Sequence, residues 1–323
     1  MTDSAVQQTN ADAAISKLSC VNAGYFDDDF LPLFVRTPLR RNPIINKGYN
    51  VRVQIMRRTI SRFVEIFGKT DGGCQLVILG AGVDTNGLHA LKSHPQKVTC
   101  FEIDFSDAMH HKSRVISSHI SHFPFLAGSP SVQHSQEGDL LWSTPALKLI
   151  GHDLRSPTES LDHKLALVGF DKAKPTLFLA ECVLIYMEAH ESDCVIEWAA
   201  RLAVNPTVPH LLAIYEQVNG RDAFGRMMVE NLASRGCPLR SIGDSTEAMS
   251  NRFSRLGFKL NRFELVSHFD PLIEKQHPEI IDELEEYNLL QSHHAFGFGA
   301  NDRPHIGEYM QCVFTSDDNV ASS

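Results

Sequence analysis

The sequence predicts an α/β fold with a doubly wound, mostly parallel sheet, and this prediction begins with one short stretch. Residues 76–79 are four consecutive branched apolar residues, which suit a strand buried on both faces of a central sheet. Gly80 and Gly82 follow, so the backbone can turn tightly and approach a ligand without interference from a Cβ. Residues 84–92 then have helical composition. The pattern of strand, glycine turn and helix is shared by ordinary tight turns and by nucleotide sites.

Acidic residues stand at the ends of the next strand-like runs and make the ligand interpretation stronger. Glu102 and Asp104 end the run that lies about twenty residues past the glycines, where a doubly wound sheet places a carboxylate for ribose hydroxyls. Asp153 and Glu181 stand near the ends of two later runs. Ligands bind outside the carboxyl ends of such strands, so we expect these acids to converge on one crevice. Either aspartate could instead cap the following helix, but capping does not explain the whole series.

The acids also distinguish between two cofactors. A dinucleotide site has Gly or Ala where Thr85 stands, and it has no use for three acids in series. S-adenosyl-L-methionine carries ribose hydroxyls, an adenine amine, an α-ammonium and a sulfonium, all of which carboxylates complement. The pattern therefore favours a methyl donor, on a Rossmann-like sheet of the class I S-adenosylmethionine-dependent methyltransferase type.

Composition limits the class of protein. The chain has 323 residues, of which 43% are hydrophobic, enough for a full core. A net charge of -9 argues against a nucleic-acid partner. The seven cysteines include no C-x-x-C and the histidines are scattered, so we expect reduced thiols and no metal. Because no signal core or membrane-length apolar run occurs, we expect a cytoplasmic monomer that does not contact a membrane.

The N-terminal residues do not follow the alternating pattern. Residues 1–14 are polar and expected to be disordered. Residues 15–52 mix aromatic with charged residues, including three aspartates at 27–29, and show no regular periodicity. We interpret residues 15–70, which end in an amphipathic helix, as an N-terminal lid that orders over the cofactor and excludes water.

The remaining elements are predicted in chain order within one domain, residues 15–316, followed by a flexible tail at 317–323. Residues 219–257 are interpreted as a helical insertion after the fifth strand that forms the substrate region, and residues 123–144 as a surface loop. Apolar spacing predicts further helices at residues 109–120, 190–204, 221–235, 246–256 and 278–290. Strands are predicted at residues 98–105, 147–154, 176–183, 210–218, 258–266, 293–298 and 308–315.

Six ordered motifs carry a resemblance to a known family. The chain closely resembles the leucine carboxyl methyltransferase family, and this resemblance implies that it methylates the C-terminal leucine carboxylate of the protein phosphatase 2A catalytic subunit, using S-adenosyl-L-methionine. The sequence departs from the family at His152 and Ser156, where the family usually has a small residue and another acid. The motifs are INKGYNVRV (45–53), LGAGVDT (79–85), FEIDF (101–105), GHDLR (151–155), PTLFLAECVLIYM (175–187) and YEQVNGRDAFGRMMVENL (215–232).

The resemblance also implies roles for individual residues. Three of them, Lys17, Arg52 and Tyr186, are where the family holds the reacting end of its substrate. The implied cofactor contacts are Arg52, Gly80, Asp104, Asp153, Leu154 and Glu181.

The implied reaction depends mainly on how the substrate carboxylate is positioned. A terminal carboxylate has a pKa of about 3.5 and is already ionised at neutral pH, so its methylation needs no general base. Arg52 can clamp a carboxylate with two parallel hydrogen bonds, although a solvated arginine is the ordinary alternative, as a surface lysine is for Lys17. Glu181 interrupts an apolar stretch and needs a cation, which is either the cofactor or a nearby arginine. Two cations in one pocket should in turn be compensated by the substrate anion.

Two further predictions concern the substrate side. Tyr186 is more often a core aromatic than a ligand, and residues 215–217 at the end of the fifth strand are expected to line the cleft. Three alternative functions stay open: a related enzyme acting on a tRNA wybutosine precursor, an enzyme acting on a small acid, and a non-catalytic module that binds the phosphatase tail.

Overall fold

The computed structural model describes residues 3–69, 72–202, 208–269, 285–301 and 305–315, and nine strands within them form one sheet. The strands are β1 (Cys74–Leu79), β2 (Val98–Asp104), β3 (Ser131–His134), β4 (Leu140–Ser143), β5 (Leu147–Gly151), β6 (Thr176–Glu181), β7 (His210–Gln217), β8 (Leu260–Leu265) and β9 (His294–Ala300). Their order across the sheet is β3-β4-β5-β2-β1-β6-β7-β9-β8.

Five neighbouring strands, β5-β2-β1-β6-β7, are parallel, and this confirms the predicted fold class. The chain adds β2 and β5 on one side of β1 and then crosses to β6 on the other side, which creates a topological switch point beside β1. Ligands bind at such a point in doubly wound sheets. The antiparallel strands β9 and β8 extend one edge, and the β3-β4 hairpin extends the other.

Strand β1 is buried along its whole length, as the apolar run predicts. Leu76 and Ile78 pack into the core on one face of the sheet, whereas Val77 and Leu79 pack into the core on the other face. Because successive side chains of a strand point to opposite faces, only a continuous apolar run can satisfy both cores.

Helices cover both faces of the sheet. Helix α3 starts at Pro43, whose fixed φ suits a first helical turn, so it begins ten residues before the apolar stripe at Val53. The short helix α6 was not among the predicted elements. The helices of the described residues are α1 (Asp3–Asn22), α2 (Leu31–Phe34), α3 (Pro43–Phe67), α4 (Asn86–Ser93), α5 (Ser106–Ser118), α6 (Thr158–Leu167), α7 (Ala189–Leu202), α8 (Ala223–Ser234), α9 (Thr246–Arg255), α10 (Glu285–Ser292) and α11 (Ile306–Phe314).

The expected disorder of residues 1–14 is wrong from Asp3 onward, because these residues belong to α1. The polar composition gave no periodic signal, but Ala14 and Leu18 pack into the same core as α3. Tertiary packing supplies most of the stability of a helix in a protein, so local composition did not decide this segment.

The strand predicted at 308–315 is also wrong, because residues 308–314 belong to α11 and residue 315 caps its C-terminus. The buried residues Ile306, Tyr309 and Val313 have helical spacing, and the Tyr309 hydroxyl donates a hydrogen bond to the Thr59 carbonyl of α3 at 3.1 Å. The expected loop at 123–144 contains the β3-β4 hairpin. Of the helix predicted at 278–290, residues 278–284 lie outside the described residues, as does the expected tail at 317–323.

Two helices, α8 and α9, lie between β7 and β8, in the region interpreted as the helical insertion. Asp222 caps the N-terminus of α8 by accepting a hydrogen bond from the Gly225 N–H, and Ser245 caps α9 in the same way. These caps fix where the two helices begin. The residues that join α8 to α9 form part of the wall described next.

Candidate active site

A cavity of about 690 Å³ opens at the carboxyl ends of β1, β2 and β6. Its wall comes from α1, α3, the glycine turn, the segments after β5 and β6, and the connection that follows α8. The wall contains all eight residues to which the family resemblance assigns a role: Lys17, Arg52, Gly80, Asp104, Asp153, Leu154, Glu181 and Tyr186. The fold thus brings together residues that are up to 169 positions apart in the chain (186 − 17).

The glycine turn has the backbone conformation that glycine is needed for. Gly80 and Gly82 have φ values of +64° and +45°, in the left-handed region. The Gly82 N–H donates to Asp104 Oδ2 at 2.7 Å, and the Phe105 N–H donates to Asp104 Oδ1 at 2.7 Å. Burial raises the pKa of Asp104, while these two backbone donors act against that shift. Asp104 is therefore fixed at the turn, and each of its oxygens can still accept a hydrogen bond from a ligand.

Helix α1 closes over this turn. Asn10 Oδ1 accepts a hydrogen bond from the Val83 N–H at 3.1 Å. A Cβ on Gly82 would lie only 2.2 Å from Asn10 Oδ1, so any other residue at this position would displace the Asn10 side chain from its present contact. The segment that covers the turn therefore includes residues before position 15, outside the bounds predicted for the lid.

An ion network joins the lid to the strand ends. Arg52 Nε lies 2.5 Å from Glu181 Oε1, and Lys17 Nζ lies 2.9 Å from the same oxygen. Lys17 Nζ also lies 2.7 Å from Asp84 Oδ2, and Asn86 Nδ2 donates to Glu181 Oε2 at 3.3 Å. Burial opposes the charges on Lys17 and Asp84, but the opposite charges raise the pKa of the lysine and lower that of the aspartate. The two cations are thus compensated by acids of the protein, whereas the sequence led us to expect compensation by the substrate anion.

Arg52 is oriented by aromatic rings as well as by Glu181. Its guanidinium carbon lies 5.2 Å from the Tyr49 ring centroid and 5.5 Å from the Tyr215 centroid, within cation–π range. Among the described residues, only Glu181 forms an ion pair with Arg52, through Nε. The two Nη groups of the guanidinium therefore remain for a ligand.

The β7 residues expected at the cleft have separate positions. Gln217 lies in the cavity wall, Tyr215 backs Arg52, and Glu216 points to the turn after β6. Glu216 Oε1 accepts from the Val183 N–H at 3.2 Å and the Leu184 N–H at 3.0 Å. Burial raises the pKa of Glu216 to about 7. The adjoining 3₁₀ turn (Leu184–Tyr186) carries Tyr186, whose own pKa is raised by burial, so its hydroxyl keeps its proton.

The aspartate run at 27–29 has a structural role through its middle member. Asp28 Oδ2 accepts from Thr85 Oγ1 at 2.6 Å and lies 2.8 Å from Arg57 Nη2. Its pKa is held well below the usual range, against burial, by hydrogen bonds and charges of His89, Thr85 and Arg57. Asp28 therefore fastens the lid to the segment that follows the glycine turn.

Sequence reasoning missed several residues of the wall, among them Asn10, Tyr49 and Asp84. Asp84 stands in the LGAGVDT motif and Tyr49 in INKGYNVRV, so a signal for both was present. Asn10 had none, because its position depends on how α1 packs.

Two negative findings apply to the described parts of the chain. There, no group of three or more His, Cys, Asp or Glu side chains is arranged to hold a metal ion. The described helices likewise include none with the length and apolar character needed to cross a bilayer.

The switch-point cavity, glycine turn and strand-end acids define a methyltransferase-type α/β protein, and the fold agrees with that class. A putative methyltransferase from Thermobifida fusca superposes with a TM-score of 0.52 at 14% identity, covering 79% of this chain and 82% of that one. A DUF574 family protein from Streptomyces avermitilis gives 0.50 at 15% identity, with 80% and 86% covered.

The chain belongs to the leucine carboxyl methyltransferase family, which matches residues 5–200. It is 33% identical over 307 residues to the leucine carboxyl methyltransferase 1 homolog of Arabidopsis thaliana, covering 92% of this chain and 90% of the relative. Leucine carboxyl methyltransferase 1 of Bos taurus is 32% identical, with 94% and 92% covered. The human tRNA wybutosine-synthesizing protein 4 is 32% identical over 90% of this chain, but the match covers only 43% of that protein.

Proposed function

We propose that the protein uses S-adenosyl-L-methionine to methylate the α-carboxylate of the C-terminal leucine of the protein phosphatase 2A catalytic subunit. The observation that carries this proposal is the arrangement of Arg52 and Lys17 on Glu181 in the wall of one cavity. The family membership supports the same reaction.

The cavity fits the methyl donor. Its volume of about 690 Å³ lies within the range of about 300–1,000 Å³ that small-molecule sites occupy. Each oxygen of Asp104 accepts one backbone hydrogen bond and can accept another from a ribose hydroxyl. Gly80, Asp153, Leu154 and Glu181 complete the set of residues that would hold the donor. When bound, S-adenosyl-L-methionine supplies an electrophilic methyl group on a positively charged sulfur.

The residues of the wall then position the substrate. A terminal carboxylate, with a pKa of about 3.5, is ionised at neutral pH and is itself the nucleophile. With Nε on Glu181, Arg52 can hold one carboxylate through its two Nη groups, and Lys17 adds a second cation beside it. The protonated Tyr186 hydroxyl is a donor on the same wall. Holding the oxygen in position can lower the barrier by several kcal/mol.

The main rival follows from the similarity to the wybutosine-synthesizing protein. The net charge of -9 is unfavourable for an RNA substrate, because phosphate contacts require an excess of basic residues. A non-catalytic module that binds the phosphatase tail is disfavoured by the intact set of acids around the cavity.

The direct test is transfer of labelled methyl from S-adenosyl-L-methionine to the purified phosphatase catalytic subunit. We expect transfer to the natural tail, and none to a tail that is amidated or lacks its terminal leucine. Methylation of the amidated tail at an internal Asp or Glu would contradict the proposal. Transfer to wybutosine-precursor tRNA in place of the phosphatase would assign the rival function.

A further inference from the structure

His152 lies in the cavity wall directly after β5, one residue before Asp153. Its side chain is buried, and its backbone N–H donates to the Asp104 carbonyl at 2.8 Å. The hydrogen bond places His152 next to the acid that is expected to hold the ribose. Nothing in the implied set of cofactor contacts uses this residue.

Lys164 fixes which ring nitrogen of His152 carries the proton. Lys164 Nζ lies 3.2 Å from His152 Nδ1, 2.5 Å from Asp139 Oδ2 and 3.3 Å from the Gly151 carbonyl. An ammonium group only donates, so Nδ1 must be the acceptor of this contact. Burial and the charge of Lys164 lower the pKa of His152 to about 4, so the ring is neutral at ordinary pH. A neutral ring with an accepting Nδ1 carries its proton on Nε2.

The position of this N–H along the cavity follows from the sheet. Arg52 and Lys17, which are proposed to hold the reacting carboxylate, bind Glu181 at the end of β6. The methyl group and sulfur of the donor must therefore face that side of the cavity. Strand β5 lies on the opposite side of β1, beyond β2 and its Asp104. The base of the donor is the part farthest from its sulfur, which leaves it beside β5.

We propose that His152 is a specificity-determining residue for the base of the methyl donor, with its Nε2–H donating to a ring nitrogen of adenine. The inference rests on the proposed function for the identity of the donor. Among the described residues, no protein acceptor is paired with Nε2, whereas Nδ1 is engaged by Lys164. Asp139 lies at the turn of the β3-β4 hairpin, so this edge of the sheet holds the lysine that orients the histidine.

Two substitutions separate the two ring nitrogens. In His152→Asn the side-chain oxygen can replace Nδ1 and accept from Lys164, but nothing replaces Nε2–H. In His152→Gln the amide nitrogen can reach the position of Nε2. We expect S-adenosylhomocysteine to bind the Asn variant about three- to tenfold more weakly, as for one lost neutral hydrogen bond, and the Gln variant nearly as well as the parent.

Base analogues of S-adenosylhomocysteine identify the acceptor. Isothermal titration calorimetry would compare the 1-deaza, 3-deaza and 7-deaza compounds, each of which replaces one ring nitrogen by C–H. We expect the parent to bind one of the three more weakly by a similar factor, and the Asn variant to bind that compound as well as S-adenosylhomocysteine.

The outcomes separate this inference from the proposed function. If the parent binds S-adenosylhomocysteine and the Asn variant binds every compound as the parent does, the role of His152 is overturned while the proposed function stands. If the parent binds no S-adenosylhomocysteine, both are overturned. Matching thermal melting profiles of parent and variants show that a lost contact, and not a lost fold, is being measured.

Discussion

Two buried lysines, Lys17 and Lys112, both contact Asp84, and their ion pairs differ in access to the cavity. Lys112 Nζ lies 2.5 Å from Glu102 Oε2, and both side chains are fully buried. The same ammonium donates to the Asp84 carbonyl at 2.5 Å. Lys17 pairs with the Asp84 carboxylate and with Glu181, but it lies in the cavity wall. The sealed pair therefore fixes the segment after the glycine turn, whereas the pair in the wall can exchange partners with a ligand.

Burial makes these pairs energetically different. Burial raises the pKa of Glu102, and the charge of Lys112 acts against that shift. Breaking a buried pair by removing one partner typically costs about 3–5 kcal/mol, because the other charge stays buried without compensation. If Lys17 is removed, Glu181 still has Arg52 as a second cation, and ligand or water can enter the cavity beside it. Similar residue types thus serve stability in one place and recognition in the other.

The largest expected effect tests the sealed pair. Lys112→Met should lower the free energy of unfolding by about 3–5 kcal/mol, because it leaves Glu102 charged or protonated without its partner. Urea denaturation measures this loss. The double variant Lys112→Met/Glu102→Gln should recover part of it, since the buried charge is then removed.

Lys17→Met is the matched control for that experiment. We expect a much smaller loss of unfolding free energy together with a loss of methyl transfer, because Glu181 and Asp84 lie next to the cavity. Equal destabilisation by the two lysine substitutions would show that the sealed and cavity pairs do not differ.

The next effect concerns the grip of Arg52 on a carboxylate. Arg52→Lys should reduce kcat/KM by about tenfold to several hundredfold, which corresponds to roughly 1.4–3.5 kcal/mol, since an ammonium cannot form two parallel hydrogen bonds. Arg62→Lys on the same helix is the control and should leave the rate unchanged. Full activity of the Arg52 variant would mean that positive charge alone suffices at this position.

The smallest expected effect concerns Glu216, a buried acid that accepts hydrogen bonds from backbone N–H groups and forms no ion pair among the described residues. It extends the comparison of the two lysine pairs to a buried carboxyl without a paired cation. The pKa of Glu216 rises from its ordinary value of 4.5 to about 7 on folding. The folded state then binds the proton more tightly than the unfolded state. The protein therefore loses unfolding free energy through this group as pH rises from about 4.5 to 7. Because glutamine does not titrate, Glu216→Gln should make the decrease in unfolding free energy over this pH range smaller by roughly 1–3 kcal/mol.

The measurement is the difference in unfolding free energy between variant and parent across pH 4 to 8. It should grow in favour of the variant up to about pH 7 and stay constant above. Glu264→Gln on the edge strand β8, where the side chain is 34% exposed, serves as the control. A difference that does not change with pH would show that Glu216 titrates as an ordinary carboxyl.

Local pattern predicted much of the core and failed where packing between distant segments decided the outcome. The apolar run at 76–79 suits a doubly buried strand, as observed, and a parallel sheet then places acids such as Asp104 and Glu181 at one edge. Residues 3–14 and 308–315 were predicted wrongly, because their helices depend on contacts with α3 and the core that no short window contains.

For the candidate site, the sequence by itself determined which residue types stand at the strand ends, and its family motifs indicated Lys17, Arg52 and Tyr186. Only the tertiary structure decided how those charges are shared: Glu181 holds both Arg52 and Lys17, Asp84 holds Lys17, and Glu216 binds a backbone turn. The partner of a charge depends on which helices cross above the strands. That geometry is set by packing over more than a hundred residues, and spacing along the chain does not encode it.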